Sequence, residues 1–383
     1  MDNLETNKVS ARTSRTADRA QVGNPESSDR VEDGMSPAAC ISENQGQQRR
    51  ERSASAFQNS AAARKYWIIF GVLAVIAAGC GFGLLAYGNP MPVGTEQFWL
   101  IAERRMNSVI AMAVVAICQA MATVAFHTVT NNRIITPSIM GFESLYVLIH
   151  TSTVFFLGAA GLHNARTLST FVFQIVVMIL LSLILYSWLL TGRHANMHAM
   201  LLVGIIIGGG LGSISTFMQR LLTPSEFDVL TARMFGSVNN ADPEYYPLAI
   251  PLCLGAAGLL FVFSRRLNVL GLGKDAAMNL GLNYKLWSIG TLILVSVLMA
   301  VSTALVGPMT FLGFLVATLA YQFADTFDHR FVFPMAVLTA FSVLTGAYFV
   351  LNHVFYAQGV VSIVIELVGG SVFLFVILRK GRL

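Results

Sequence analysis

Charge is scarce in this chain. Asp, Glu, Lys and Arg make up 12% of 383 residues, 55% are hydrophobic, and the mean hydropathy is +0.64. Soluble domains carry about 25% charged residues, so the composition excludes one and specifies an integral membrane protein. Cysteine is scarcer still: of Cys40, Cys80, Cys118 and Cys253, the last three sit inside apolar runs, and no disulfide framework or zinc-ligand spacing follows. Catalytic patterns are missing as well. There is no Ser nucleophile elbow and no HExxH, and carboxylates pair up only between Gln219 and Tyr245 and at Asp325/Asp328. The sequence therefore does not read as an enzyme, and no cofactor is expected. Lys274 in GLGKD does not make a phosphate loop, because Asn268 and Asp275 stand where that loop needs Gly and Ser or Thr. The net charge of +5 is no nucleic-acid stripe either, since the bases flank apolar runs and act as topology signals.

What is present divides at residue 65. Residues 1–65 are polar, nearly charge-balanced and almost free of aromatic residues. They cannot bury a core and are expected to be a disordered tail; lacking an apolar h-region, it is expected to stay in the cytoplasm. Beyond it, apolar runs of about 20 residues, each enough for one crossing, fall near 66–87, 106–126, 139–160, 168–191, 198–217, 246–264, 286–306, 307–323, 331–351 and 360–378. The expectation is an all-α membrane protein of about ten transmembrane helices over 66–383. An even number puts both ends on one side, and the bases Arg64, Lys65, Arg379, Lys380 and Arg382 make that side the cytoplasm. Gly307-Pro308, where two runs almost touch, is either a tight turn or a break within one helix.

Residues 265–287 interrupt the apolar pattern. They carry Arg265, Arg266, Lys274 and Lys285 against the single acid Asp275, which places them on the cytoplasmic side. Within them Ala276, Ala277, Leu280 and Gly281 follow Gly273 at helical spacing, giving a short helix with a small-residue face open to close approach.

The segment LNVLGLGKDAAMNLGL resembles the coupling loop of FecCD-type permeases, the membrane subunits of ABC importers for iron-siderophores, haem and cobalamin. Three further blocks extend the resemblance in the same order: Asn132 to Gly141 is similar to NPLADPxxLG, Gly307 to Phe323 to GPIGFVGLIVPHLAR, and Phe327 to Pro334 to GxDHRxxxP. The first of these blocks most resembles permeases for catecholate-type iron chelates. The resemblance implies a type II importer permease in the cytoplasmic (inner) membrane. Its partners would be a second permease subunit, favoured as a different chain, an ABC ATPase dimer and an extracytoplasmic siderophore-binding protein. Gly273, Lys274, Asp275, Ala276, Ala277, Leu280 and Gly281 would couple to the ATPase, and the cargo would be a ferric siderophore, with haem, cobalamin or metal ions as alternatives. The sequence also departs from the family pattern. Arg104-Arg105-Met106-Asn107-Ser108 replaces RxPR, so Arg104 and Arg105 keep only part of the pair that meets the binding protein. Arg133 takes the place of a proline, and Val361 to Glu366 replaces PVGxxT.

Gly204, Gly208 and Gly212 recur every four residues, a small-residue face suited either to packing within the chain or, as the resemblance implies, to a helix lining the translocation pathway. Glu366 is the acid deep in the last run, a pathway candidate because a membrane-embedded carboxylate is costly; a neutral or hydrogen-bonded structural Glu is the alternative. Glu143, near the start of its helix, suits capping. His194 and His198 have helical ligand spacing without a third ligand nearby, so metal binding is not expected. A secondary transporter using Glu366 or Glu143 as proton carrier is the rival class, but neither an internal repeat nor an acid relay supports it.

Overall fold

A computed structural model describes residues 56–57, 59–87, 94–164, 166–191, 197–353 and 361–380. Among these, every regular element is helical: α1 (Ser60–Ala86), α2 (Glu96–Thr130), α3 (Phe142–Asn164), α4 (Leu168–Thr191), α5 (Met197–Gln219), α6 (Pro224–Met234), α7 (Tyr246–Val262), α8 (Ser264–Leu270), α9 (Lys274–Asn279), α10 (Tyr284–Val306), α11 (Leu312–Ala324), α12 (His329–His353) and α13 (Val361–Lys380). Seven are long and apolar enough to cross a bilayer: α1, α2, α3, α5, α10, α12 and the segment Pro243–Val262 that contains α7; shorter apolar stretches lie in α4, α11 and α13. Together they make the ten expected apolar helices, and the fold is that of an all-α membrane protein.

Helix α2 is the axis of the bundle. Its run of small residues, with Ala111, Ala116, Cys118, Ala120, Ala122 and Ala125 wholly buried, lets α1, α7, α10, α11 and α12 all pack against it. Near its middle Gln119 Nε2 donates to Ser302 Oγ at 3.1 Å, and the Cys118 and Cys253 thiols meet at 3.3 Å. Gly313 gives α11 the close approach, since a Cβ there would overlap Thr123 Oγ1.

Several boundaries move from where hydrophobicity put them. Helix α1 starts at Ser60, not 66, and Ala56 is tied to the bundle because its carbonyl accepts from the Thr326 hydroxyl. The disordered tail expected over residues 1–65 is corrected at 60–65, which form the first turns of α1; for residues 1–55 and 58 the expectation lies outside the described residues. Helix α2 starts at Glu96, ten residues before the apolar run, with the Thr95 hydroxyl accepting from the Phe98 amide. The polar stretch Glu103–Asn107 is thus helical. Between α10 and α11 the chain makes a true turn: Gly307 has φ +92°, and its neighbour Gly236 lies so close that a Cβ on it would overlap the Pro308 carbonyl.

The acidic stretch between Gln219 and Tyr245, which separates two apolar runs, contains α6. Thr223 accepts from the Glu226 amide while Glu226 accepts from the Thr223 amide, and Pro224 begins the helix, a reciprocal cap that needs little burial. The hydroxyl and amide of Thr223 hold the exposed Glu226 carboxyl below the usual range.

Candidate coupling surface and membrane pathway

Helix α9 is short because glycines bracket it. Gly273 precedes it at φ 95° and ψ 167°, a region essentially restricted to glycine. At the other end the Leu282 amide donates to the Ala277 carbonyl at 3.0 Å and the Gly281 amide to the Met278 carbonyl at 2.9 Å, with Gly281 at φ +79°. This is a Schellman cap, and a side chain on Gly281 would add roughly 1–2 kcal/mol of backbone strain. The two glycines therefore fix where α9 starts and stops, a role that spacing alone did not reveal.

The predicted coupling residues divide between two faces. Lys274, Asp275, Leu280 and Gly281 are exposed, and Ala276 is half-buried. Ala277, expected on the approachable face, is wholly buried against the chain's own body, because a six-residue helix needs one inward residue to hold it there. The exposed face is apolar: Leu280 is 64% exposed, Leu272 62% and Met278 47%. Outside the apolar helices, such a patch marks an interaction surface.

Behind α9, α8 is bonded to the start of α12. The Asn268 Nδ2 amide donates to Asp328 Oδ1 at 2.9 Å, so Asn268 Oδ1 faces His329, where it accepts from the backbone amide at 3.0 Å and from ring Nδ1. With the proton on Nδ1, the free Nε2 accepts from the Thr128 hydroxyl of α2 at 2.6 Å. Four residues distant in sequence thus join α2, α8 and α12. Asn131 and Asp325 end α2 and α11 in the left-handed conformation, φ 50° and 47°, which these two residue types tolerate. Arg133 lies 4.5 Å from the Tyr321 ring centre and 5.7 Å from that of Phe327. A cavity of about 370 Å³ opens between these groups. The sequence offered the Asn132 and Phe327–Arg330 blocks but no sign that Asn268 and Thr128 complete the cluster. Replacing Asn268 by Ala removes three hydrogen bonds and leaves the Asp328 carboxylate and the His329 ring short of partners. We expect a loss of about 2–3 kcal/mol, read as a lower unfolding temperature in detergent.

In α5, the spaces beside Gly204, Gly208 and Gly212 are filled from within the chain. A Cβ on Gly208 would lie 3.1 Å from Gly141 Cα, one on Gly204 3.2 Å from Met140 Cε, and one on Gly212 4.0 Å from Ser144 Oγ. The stripe seats α5 on the turn Pro137–Met140 and the start of α3. The uncovered side of α5 carries Gly209, Gly210, Ser213 and Ile206.

Glu366 is half-buried on α13, within electrostatic reach of Glu143. Glu143 does not simply cap α3, as its position suggested. Its Oε2 accepts from the Thr310 hydroxyl at 2.6 Å, which ties the start of α3 to the turn after α10. The expected outer pair also separates: Arg105 Nη1 donates to the Tyr87 carbonyl at 2.9 Å and the Leu84 carbonyl at 3.3 Å, capping α1, whereas Arg104 is exposed. Among the described residues no cluster of His, Cys, Asp and Glu could hold a metal; His194 and the His198 side chain lie outside them.

Residues 66–379 match the profile of the FecCD transport family. The Petrobactin import system permease protein FatC of Bacillus anthracis is 55% identical over 332 residues, 87% of this chain and 94% of that protein. A second protein of the same organism, the Petrobactin import system permease protein FatD, is 25% identical over 297 residues, 76% of this chain and 83% of its own length. A solved structure described as "An inward-facing conformation of a putative metal-chelate type ABC transporter" has the same fold, with a TM-score of 0.68 over 82% of this chain and 99% of that one, at 20% identity.

Proposed function

Because this chain belongs to the FecCD transport family, we propose that it is the membrane-spanning permease subunit of an ATP-driven importer and that its cargo is a ferric siderophore of the petrobactin type. The observation that carries the cargo assignment is 55% identity across almost the full length of a petrobactin permease. Two petrobactin permease proteins of one organism both resemble this chain, one far more than the other. That supports a heterodimer in which this subunit pairs with a different permease chain. ATP hydrolysis falls to a partner ATPase dimer, and an extracytoplasmic binding protein delivers the chelate.

In this reading the membrane is the cytoplasmic one, with both ends of the chain inside. The apolar knob of α9 seats on the ATPase, with Gly273, Lys274, Asp275, Ala276, Leu280 and Gly281 forming the contact and Ala277 fixing the helix from behind. When ATP draws the ATPase dimer together, α9 moves with it, and the cluster of Asn268, Thr128 and His329 passes that displacement to α2 and α12. The pathway runs along the uncovered side of α5, whose position Gly204, Gly208 and Gly212 set, with Glu366 beside it. Arg104 greets the binding protein, while Arg105 holds the rim of α1 in place.

The test is uptake of radiolabelled iron, given as ferric petrobactin, in cells that make this chain with its partner permease, ATPase and binding protein. Uptake should need every component and persist under a proton uncoupler while ATP is maintained. Unlabelled ferric petrobactin should compete, and haem or cobalamin should not. Collapse of uptake with the proton gradient at constant ATP would replace this reading with an ion-coupled transporter.

A further inference from the structure

An apolar groove of about 570 Å³ lies between α1, α2, α7 and α12, lined among others by Phe70, Met121, Gly258, Phe261, Pro334 and Phe341. Two of its walls continue into charge. On α12, Pro334, Val337, Leu338 and Phe341 form one helical stripe, and the residue one turn before Pro334 on that stripe is Arg330. On α7, Leu254, Gly258 and Phe261 form another; α7 ends at Phe263, whose carbonyl accepts from the Leu267 amide at 3.0 Å, and Arg265, four residues after Phe261, stands in the first turn of α8. Both arginines are exposed. An apolar slot between membrane helices that ends in cations on one side matches a lipid tail below an anionic headgroup.

We propose that this groove binds one anionic phospholipid, an acyl chain lying along Gly258 and Pro334 and the phosphate held by Arg265 and Arg330. The assignment of the leaflet rests on the orientation proposed above, which places both arginines on the cytoplasmic side; binding itself does not. Gly258 lines the groove, and among the described residues outside its own helix nothing lies within 4 Å of where its Cβ would stand. A leucine there starts in open space and takes up part of the slot.

The experiment is native mass spectrometry of the full chain in complex with its partner subunits, titrated in detergent with phosphatidylglycerol or phosphatidylcholine. Phosphatidylglycerol should bind more tightly than phosphatidylcholine by about thirtyfold, roughly fivefold for each arginine. The double variant Arg265→Gln/Arg330→Gln should bring the two lipids to equal affinity, and Gly258→Leu should lower retention of both with the unfolding temperature unchanged. Equal binding of the two lipids to the unaltered protein, or full retention in Gly258→Leu, would overturn the proposal. The readout is bound lipid and not uptake, so a failed transport assignment would leave this result standing, and the reverse.

Discussion

Leu280→Glu is expected to abolish transport and leave the protein folded. Leu280 is 64% exposed and lies just past the last turn of α9, so a carboxylate there stays in water in the free subunit. In the assembled importer it would have to enter an apolar contact without a partner, which costs several kcal/mol. Uptake should fall at least tenfold, and the ATPase should no longer co-purify at equimolar yield. Arg104→Glu, on the opposite end of the molecule by the proposed orientation, should keep the ATPase bound and weaken capture of the loaded binding protein. If Leu280→Glu retains a full complement of ATPase and normal uptake, α9 is not the coupling element.

Gly208→Leu and Gly209→Leu should behave as opposites although the residues are neighbours. Gly208 faces backbone: its Cβ would stand 3.1 Å from Gly141 Cα and 3.4 Å from Gly141 N, and Gly141 at φ +96° has no freedom to withdraw. A leucine there must push α5 off the turn that carries α3, at a cost of about 3 kcal/mol or more. The variant should aggregate or melt well below the parent in detergent. Nothing lies within 4 Å of a Cβ on Gly209, so that variant should fold normally and reach the membrane. If the uncovered side of α5 lines the pathway, Gly209→Leu should still cut uptake severalfold. Normal uptake by a well-folded Gly209→Leu protein would move the pathway elsewhere.

These two positions also show how far the sequence could be read. The spacing of Gly204, Gly208 and Gly212 identified a face for close packing, but not whether the neighbour was the same chain or another, because periodicity describes one helix at a time. The apolar runs located the ten apolar helices to within several residues, except where polar sequence is helical for other reasons. Glu103–Asn107 lies inside α2 because Thr95 caps the helix upstream and Arg105 is occupied with the carbonyl ends of α1. Helix α6 was passed over, because its signal is Thr223-Pro224-Ser225-Glu226, a capping sequence that hydrophobicity does not register. The cluster of Thr128, Asn268, Asp328 and His329 was not legible either, since it joins residues up to 201 positions apart through polar side chains of common type. Gly273 and Gly281 were noticed for their smallness, whereas their function in the fold is conformational.

Helix α2 has a mechanical consequence. At about 1.5 Å per residue its 35 residues make a rod roughly 50 Å long, gripped at one end by Arg105 on the carbonyls of α1 and at the other by Thr128 on His329. Between these grips it is held on its flanks, by Gln119 on Ser302 and by Thr123 against Gly313. A stiff rod held along its middle has little room to slide, so a sideways push on its Thr128 end becomes a tilt. Its two ends then swing in opposite directions, the Glu96 end further, because the grips at Gln119 and Thr123 lie nearer the Thr128 end. Closure at one mouth and opening at the other would be a single motion of one lever.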